Sequence, residues 1–121
     1  MTILPLSGLR VVSVEQYGAG PFGSLYLAHM GAEVIKIESP RGGDSSRASG
    51  PHFLGENDSQ FFQTFNQGKR SLTLDLKSEA GQEVLHRLAA TAQAVMNNLR
   101  GDQPAKLGLD YAALGPVRRD L

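Results

Sequence analysis

The chain has no cysteine. That removes disulfides, thiolate nucleophiles and zinc–thiolate sites, and it fits a cytoplasmic protein better than a secreted one. It has no excess charge of either sign, with Lys+Arg 12 balanced by Asp+Glu 12. No global field then favours nucleic acid or an anionic membrane. No apolar run is long enough to span a bilayer. The opening MTILPLSGLR lacks a basic segment followed by a long apolar one, so it does not read as a secretory signal. The three histidines, His29, His52 and His86, show no metal-ligand spacing with one another or with acids, so no metal site is expected. There is no G-x-S-x-G nucleophile elbow and no Walker loop. What remains is an ordinary globular balance, 40% hydrophobic and 20% charged over 121 residues, which suits one domain or part of one.

The informative stretch is Arg10 to Glu38. Val11, Val12 and Val14 read as a buried parallel strand. A glycine-rich turn follows, with Pro21 at the first position of a helix, where its missing N–H costs nothing. Phe22, Leu25, Tyr26 and Met30 recur at helical spacing, and Gly31 suits a left-handed C-cap. Val34, Ile35 and Ile37 then form a second strand, completing a right-handed βαβ unit. Gly18, Gly20 and Gly23 match G-x-G-x-x-G, and Glu38 lies about 20 residues on, as in a dinucleotide fold. Two details oppose that reading. Glu15, Gln16 and Tyr17 separate the strand from the first glycine, and Pro21 removes a donor from the helix N-terminus.

Downstream, Ser39 to Gln60 reads as a long loop, with a tight turn over Arg41 to Asp44 and a solvated Arg47 or an anion contact there. Phe61, Phe62 and Phe65 mark a short helical turn. In Ser71 to Lys77 the leucines at 72, 74 and 76 alternate with polar residues, which is a strand with one apolar face. Ser78 caps a helix with its stripe at Val84, Leu85, Leu88, Ala89 and Ala92, ending near Thr91 or Ala92. Ala94 to Met96 is a further strand. Short helical turns follow at Pro104 to Lys106 and at Tyr111 to Leu114. Met1 to Leu9 is a lead-in arm whose leucines cover the sheet edge or a neighbour. Alternating strands and helices predict an α/β fold with an open, mostly parallel sheet and helices on both faces. The ending reads as the run-up to a further strand, so the chain is expected to be a part of a larger domain.

In such sheets ligands sit outside the carboxyl ends of the strands. The Gly18 turn, Lys77, and Asn98 to Arg100 all fall at such ends and are expected to converge on an anionic, nucleotide-like ligand. Lys69 and Arg70 lie at a strand start and read as solvated or structural charges on the opposite rim.

The segments LSGLRVVSVEQYGAGPFGSLYLAHMGAEVIKIESPRGGD, NQGKRSLTLDLKSEAG, NNLR and KLGLDY, in that order, resemble the N-terminal part of the family III CoA-transferases. That group includes formyl-CoA and carnitine CoA-transferases and α-methylacyl-CoA racemases. The resemblance implies that residues 1–121 are the CoA-binding N-terminal part of a Rossmann-like large domain, with no second domain in this chain. It implies CoA contacts at Gly18, Ala19, Leu74, Lys77, Asn98, Leu99, Arg100 and Lys106, with Leu99 replacing the usual aromatic and Ser39 standing where arginine is common. CoA and acyl-CoA would be substrates, with a carboxylic acid as the other partner and no tightly bound cofactor. An interlaced homodimer is implied as well. The family's aspartate nucleophile, and the racemases' His/Asp pair, would lie downstream, so no catalytic residue is expected here. A non-catalytic α/β binding or assembly module is the alternative from another class.

Overall fold

The structure is a computed structural model that describes residues 3–121; the expectation for Met1 and Thr2 lies outside the described residues. Among the described residues six strands and five α-helices follow in the order β1 (Arg10–Val14), α1 (Ala19–His29), β2 (Glu33–Glu38), β3 (Phe53–Gly55), β4 (Asp58–Ser59), α2 (Gln60–Asn66), β5 (Arg70–Thr73), α3 (Glu79–Ala89), β6 (Ala94–Asn97), α4 (Gln103–Lys106) and α5 (Tyr111–Leu114). The main sheet is entirely parallel with order β5-β2-β1-β6, and β3 and β4 form a separate antiparallel pair. The chain moves outward from β1 to β2 to β5, then returns to the other side of β1 as β6. The strand order therefore reverses between β1 and β6, which is where open α/β sheets make their ligand crevice.

Period two along the strands gives the sheet two different faces. Val12, Val14 and Ile37 face Leu85, Ala89 and Ala92 of the α3 segment, together with Leu76, Leu109 and Leu114, in the larger apolar core. Ser78 caps α3 by accepting from the N–H of Gly81 at 3.0 Å, and the helix ends at Ala89, slightly before the expected Thr91. On the opposite face only the lower half is apolar: Val11, Ala32 and Val34, packed by Leu6, Leu27, Ala28 and Met96. Its upper half carries Ser13, Glu15, Lys36 and Glu38, all buried.

α1 differs from expectation in two ways. It begins at Ala19, so Pro21 is its third residue rather than its first; the first four N–H groups of any helix lack internal acceptors, so the proline is equally well accommodated. The helix also turns its larger side chains outward. Gly20, Pro21 and Ser24 are buried, whereas Phe22, Tyr26 and Met30 are exposed. Small residues face the sheet because the polar side chains beneath them occupy the space. Gly31 is left-handed, with φ 102, as a C-cap requires. The arm follows α1 back, Leu6 donating its N–H to the Met30 carbonyl at 2.9 Å.

The segment from Ser39 to Gln60 is not structureless. A 3-10 turn over Ser45–Ala48 and the β3–β4 hairpin fold it onto the polar half of the sheet. The SLTLDLK strand ends at Thr73, although Leu74 still donates its N–H to the Glu38 carbonyl at 3.0 Å.

Candidate functional site

The sheet's polar half is a buried ionic network, in which Ser13 Oγ and Glu15 Oε2 have no hydrogen-bond partner among the described residues. Lys69 donates to Glu15 Oε1 at 2.9 Å, to the Pro21 carbonyl at 2.8 Å and to Asn66 Oδ1 at 3.1 Å. Lys36 donates to Asp44 and to Asn66 Oδ1, and Ser24 donates to Glu15 Oε1 at 2.6 Å. Arg47 holds both oxygens of Glu38, at 3.0 and 2.7 Å, and lies 3.7 Å over the Phe62 ring. Three acids and three bases cancel within this enclosure, so no net charge is buried. Lys69 is thus neither solvated nor on a free rim: its side chain is 2% exposed. Only its neighbour Arg70 is exposed, pairing with Glu33. Arg47 is likewise committed to Glu38 and is no anion contact.

The titrations follow from these contacts. Burial works against ionised Glu38, but Arg47, Ser71 and the Asp44 N–H together hold its carboxyl below the usual range. Burial also opposes ionised Asp44, and Lys36, Ser46 and the Tyr17 N–H outweigh it in the same direction. Burial dominates at Lys69 and lowers its pKa despite the bond to Glu15.

Above the network, a cleft of about 220 Å³ opens at the carboxyl ends of the strands. Its lining includes Glu15 and Gln16 after β1, Ser39 and Pro40 after β2, Leu74 and Lys77 after β5, and Leu99 and Leu107 after β6. Of the residues expected from sequence, Leu74, Lys77 and Leu99 therefore meet in one cleft. Lys77 is exposed at its edge. Gly18 and Ala19 do not line the cleft; they start α1 just beyond Gln16, which does, and their first-turn N–H groups are of the kind suited to an anion. Asn98 is engaged otherwise: both ends of its amide bond the backbone of Gln16. Arg100 is exposed on the loop after β6, and Lys106 pairs with Asp102 at 2.7 Å; neither lines the cleft. Among the described residues no group of three or more His, Cys, Asp or Glu is arranged to hold a metal ion.

The glycine pattern has a different logic from the dinucleotide fingerprint. A Cβ on Gly20 would sit 2.8 Å from Asn98 Cγ and 2.9 Å from Glu15 Cβ, so this position needs glycine. A Cβ on Gly23 would meet nothing within 4 Å. In a dinucleotide fold the third glycine allows close helix–sheet packing; here it faces solvent. Gly18 also has open space around it and an ordinary φ of -122.

Sequence reasoning missed the ionic network. The signal was present as Ser13 and Glu15 within VVSVE and Lys36 and Glu38 within VIKIE: polar residues at period two inside strands otherwise suited to full burial.

Solved and curated proteins share this chain's fold or sequence. A CaiB/BaiF family protein from Brucella suis superposes with a TM-score of 0.87 at 40% identity, over 96% of this chain and 31% of that one. The succinate–glutarate CoA-transferase of Agrobacterium fabrum is 46% identical over 115 residues, 91% of this chain and 29% of that protein. The human succinyl-CoA:glutarate CoA-transferase is 34% identical over 115 residues, 95% of this chain and 26% of that protein. The chain thus spans under a third of the length of these relatives. Residues 6–121 match the profile of CoA-transferase family III, and the chain belongs to that family.

Proposed function

We propose that the strand-end cleft is a CoA-thioester site, and that residues 1–121 act as the N-terminal CoA-binding part of a Rossmann-like domain in an enzyme that moves CoA between an acyl-CoA and a carboxylic acid. The observation that carries this reading is the convergence of Leu74 and Lys77 from the end of β5 with Leu99 from beyond β6 in one cleft, beside the start of α1. Gly18 and Ala19 offer backbone donors to the pantetheine or phosphates. Lys77 supplies positive charge at the cleft, Arg100 and Lys106 lie outside its lining on the segments after β6 and add charge at longer range, and Asn98 shapes the rim. The relatives' names favour CoA transfer over racemisation, and succinate and glutarate are the acids to test first. CoA is a substrate in this reading and not a resident cofactor. The nucleophilic aspartate that the family resemblance implies lies outside these residues.

The same reading makes the protein a cytoplasmic homodimer. Association is supported by a run of rings in which Tyr17, Phe22 and Tyr26 are exposed and Phe61 and Phe65 half-buried: Tyr17 on Phe61 at 4.8 Å, Phe61 on Phe65 at 5.1 Å, Phe65 on Phe22 at 5.8 Å and Phe22 on Tyr26 at 5.0 Å. Sedimentation reads the association state.

Calorimetric titration with CoA, NADH and FAD tests the ligand. CoA is expected to bind most tightly, and tighter binding of NADH refutes the site. Lys77→Ala should weaken CoA binding by about 1–3 kcal/mol, the worth of a charge-assisted hydrogen bond, and Arg100→Ala by less.

A further inference from the structure

Tyr17 stands between β1 and α1 with φ 68, a left-handed conformation that glycine adopts freely and tyrosine does not. Its N–H donates to Asp44 Oδ1 at 3.0 Å. The same oxygen accepts from the N–H of Ser46 at 2.8 Å and from its hydroxyl at 2.7 Å, and Asp44 Oδ2 takes Lys36. The Asp44 side chain is fully buried. Asp44 comes from the 3-10 segment that follows β2, whereas Tyr17 follows β1. The bond therefore ties the loop after one strand to the turn after its neighbour. The ring of Tyr17 is tethered separately, to Phe61. Nothing else in the sequence explains a tyrosine at a left-handed position directly before Gly18 and Ala19.

We propose that Asp44 is a positioning residue for ligand binding: its carboxylate holds Tyr17 in the left-handed conformation that sets the path of the chain from Gln16, which lines the cleft, into the Gly18–Ala19 turn. The proposal rests on the cleft being the CoA site. Lys36 fixes Asp44 in turn, and the two Ser46 donors set the carboxylate's orientation. Without the pin an L-residue leaves this conformation, by roughly a factor of ten in population. Affinity then falls by the fraction still competent to bind.

Replacing Asp44 alone would strand buried Lys36, so the test uses Asp44→Ala with Lys36→Met, which removes one charge of each sign and keeps the volume at 36. The double variant is expected to melt cooperatively and to bind CoA about tenfold more weakly. Adding Tyr17→Gly should restore most of that affinity, because glycine reaches positive φ unaided; Tyr17→Gly alone is the reference. A purely structural Asp44 would not be rescued at position 17. Unchanged CoA affinity in the double variant, or no recovery in the triple, overturns the proposal.

Amide hydrogen exchange of the unaltered protein is a second readout that needs no variant to fold. Protection of the Tyr17 N–H comparable to that of Ser46 supports the pin, and exchange at the rate of an unstructured chain overturns it. If the unaltered protein binds no CoA while Tyr17 is protected, the site assignment fails and the pin stands.

Discussion

Asn98 and Gln16 close the gap between β6 and β1 with a reciprocal pair of hydrogen bonds: the Gln16 N–H donates to Asn98 Oδ1 at 3.0 Å, and Asn98 Nδ2 donates to the Gln16 carbonyl at 2.9 Å. The pair spans the point where the strand order reverses. β1 and β6 pair in register up to Val14 and Asn97, so the side chain of Asn98 continues the ladder one step beyond the sheet. It does so by imitating a peptide group. Gln16 is thereby held by its backbone while its own side chain stays at the cleft.

Asn98→Ala removes both bonds and should cost about 1–2 kcal/mol of CoA affinity through a loosened rim. Asn98→Asp keeps the acceptor for the Gln16 N–H but sets a carboxylate against the Gln16 carbonyl, and should cost at least as much. Calorimetry of both variants checks this. An alanine variant with unaltered affinity would mean that the clamp does not shape the site.

Lys69 and Arg70 are adjacent in sequence and opposite in consequence. Lys69→Ala removes the closest cation from buried Glu15, leaving it the Ser24 hydroxyl and Lys36 at 4.0 Å, and should destabilise the fold by about 3–5 kcal/mol. Arg70→Ala removes an exposed pair with Glu33 and should cost about 0–1 kcal/mol. Replacing Lys69 by Met together with Glu15→Gln should recover much of the loss, since a buried pair removed as a pair costs far less than one broken. Urea denaturation of the variants measures each difference.

Two glycines of α1 separate packing from propensity. Gly20→Ala drives a Cβ into Asn98 and Glu15 and should destabilise by about 1–3 kcal/mol. Gly23→Ala meets open space in the same helix and should stabilise by about 0.5–1 kcal/mol. Thermal melts should therefore move in opposite directions for the same chemical change.

Acid should unfold the protein through Asp44 and Glu38. Both carboxyls have folded-state pKa values below their ordinary ones, so the unfolded chain binds protons first. Their contribution is fully present above the ordinary carboxylate range and is lost as pH falls through the folded-state values. Denaturant midpoints should be flat near neutrality and fall below about pH 4. Asp44→Asn with Lys36→Met should flatten that fall, and an unchanged acid limb would show that other carboxylates carry it.

The sequence by itself determined the βαβ order and the four strands of the parallel sheet. Those features rest on local signals: runs of Val and Ile, Ser78 as an N-cap and Gly31 as a left-handed C-cap; the period-two leucines at 72, 74 and 76 located β5 but carried its expected end beyond Thr73. The strand-end rule then needs only the direction of each strand, which is why Leu74, Lys77 and Leu99 could be expected in one cleft without coordinates. Tertiary structure alone decided what the polar residues inside the strands do. Glu15, Lys36, Asp44 and Lys69 lie far apart in the chain, and each becomes tolerable in the interior only when its partners arrive from other elements. The outward turn of Phe22 and Tyr26 follows from the same cause. Helical spacing shows that a helix has an apolar stripe, but the sheet beneath was polar there and needed glycine, proline and serine against it. Lys69 and Arg70 show the limit most plainly. Both are bases at a strand start, and only the position of Glu15 across the fold makes one of them a buried structural ion and leaves the other in solvent.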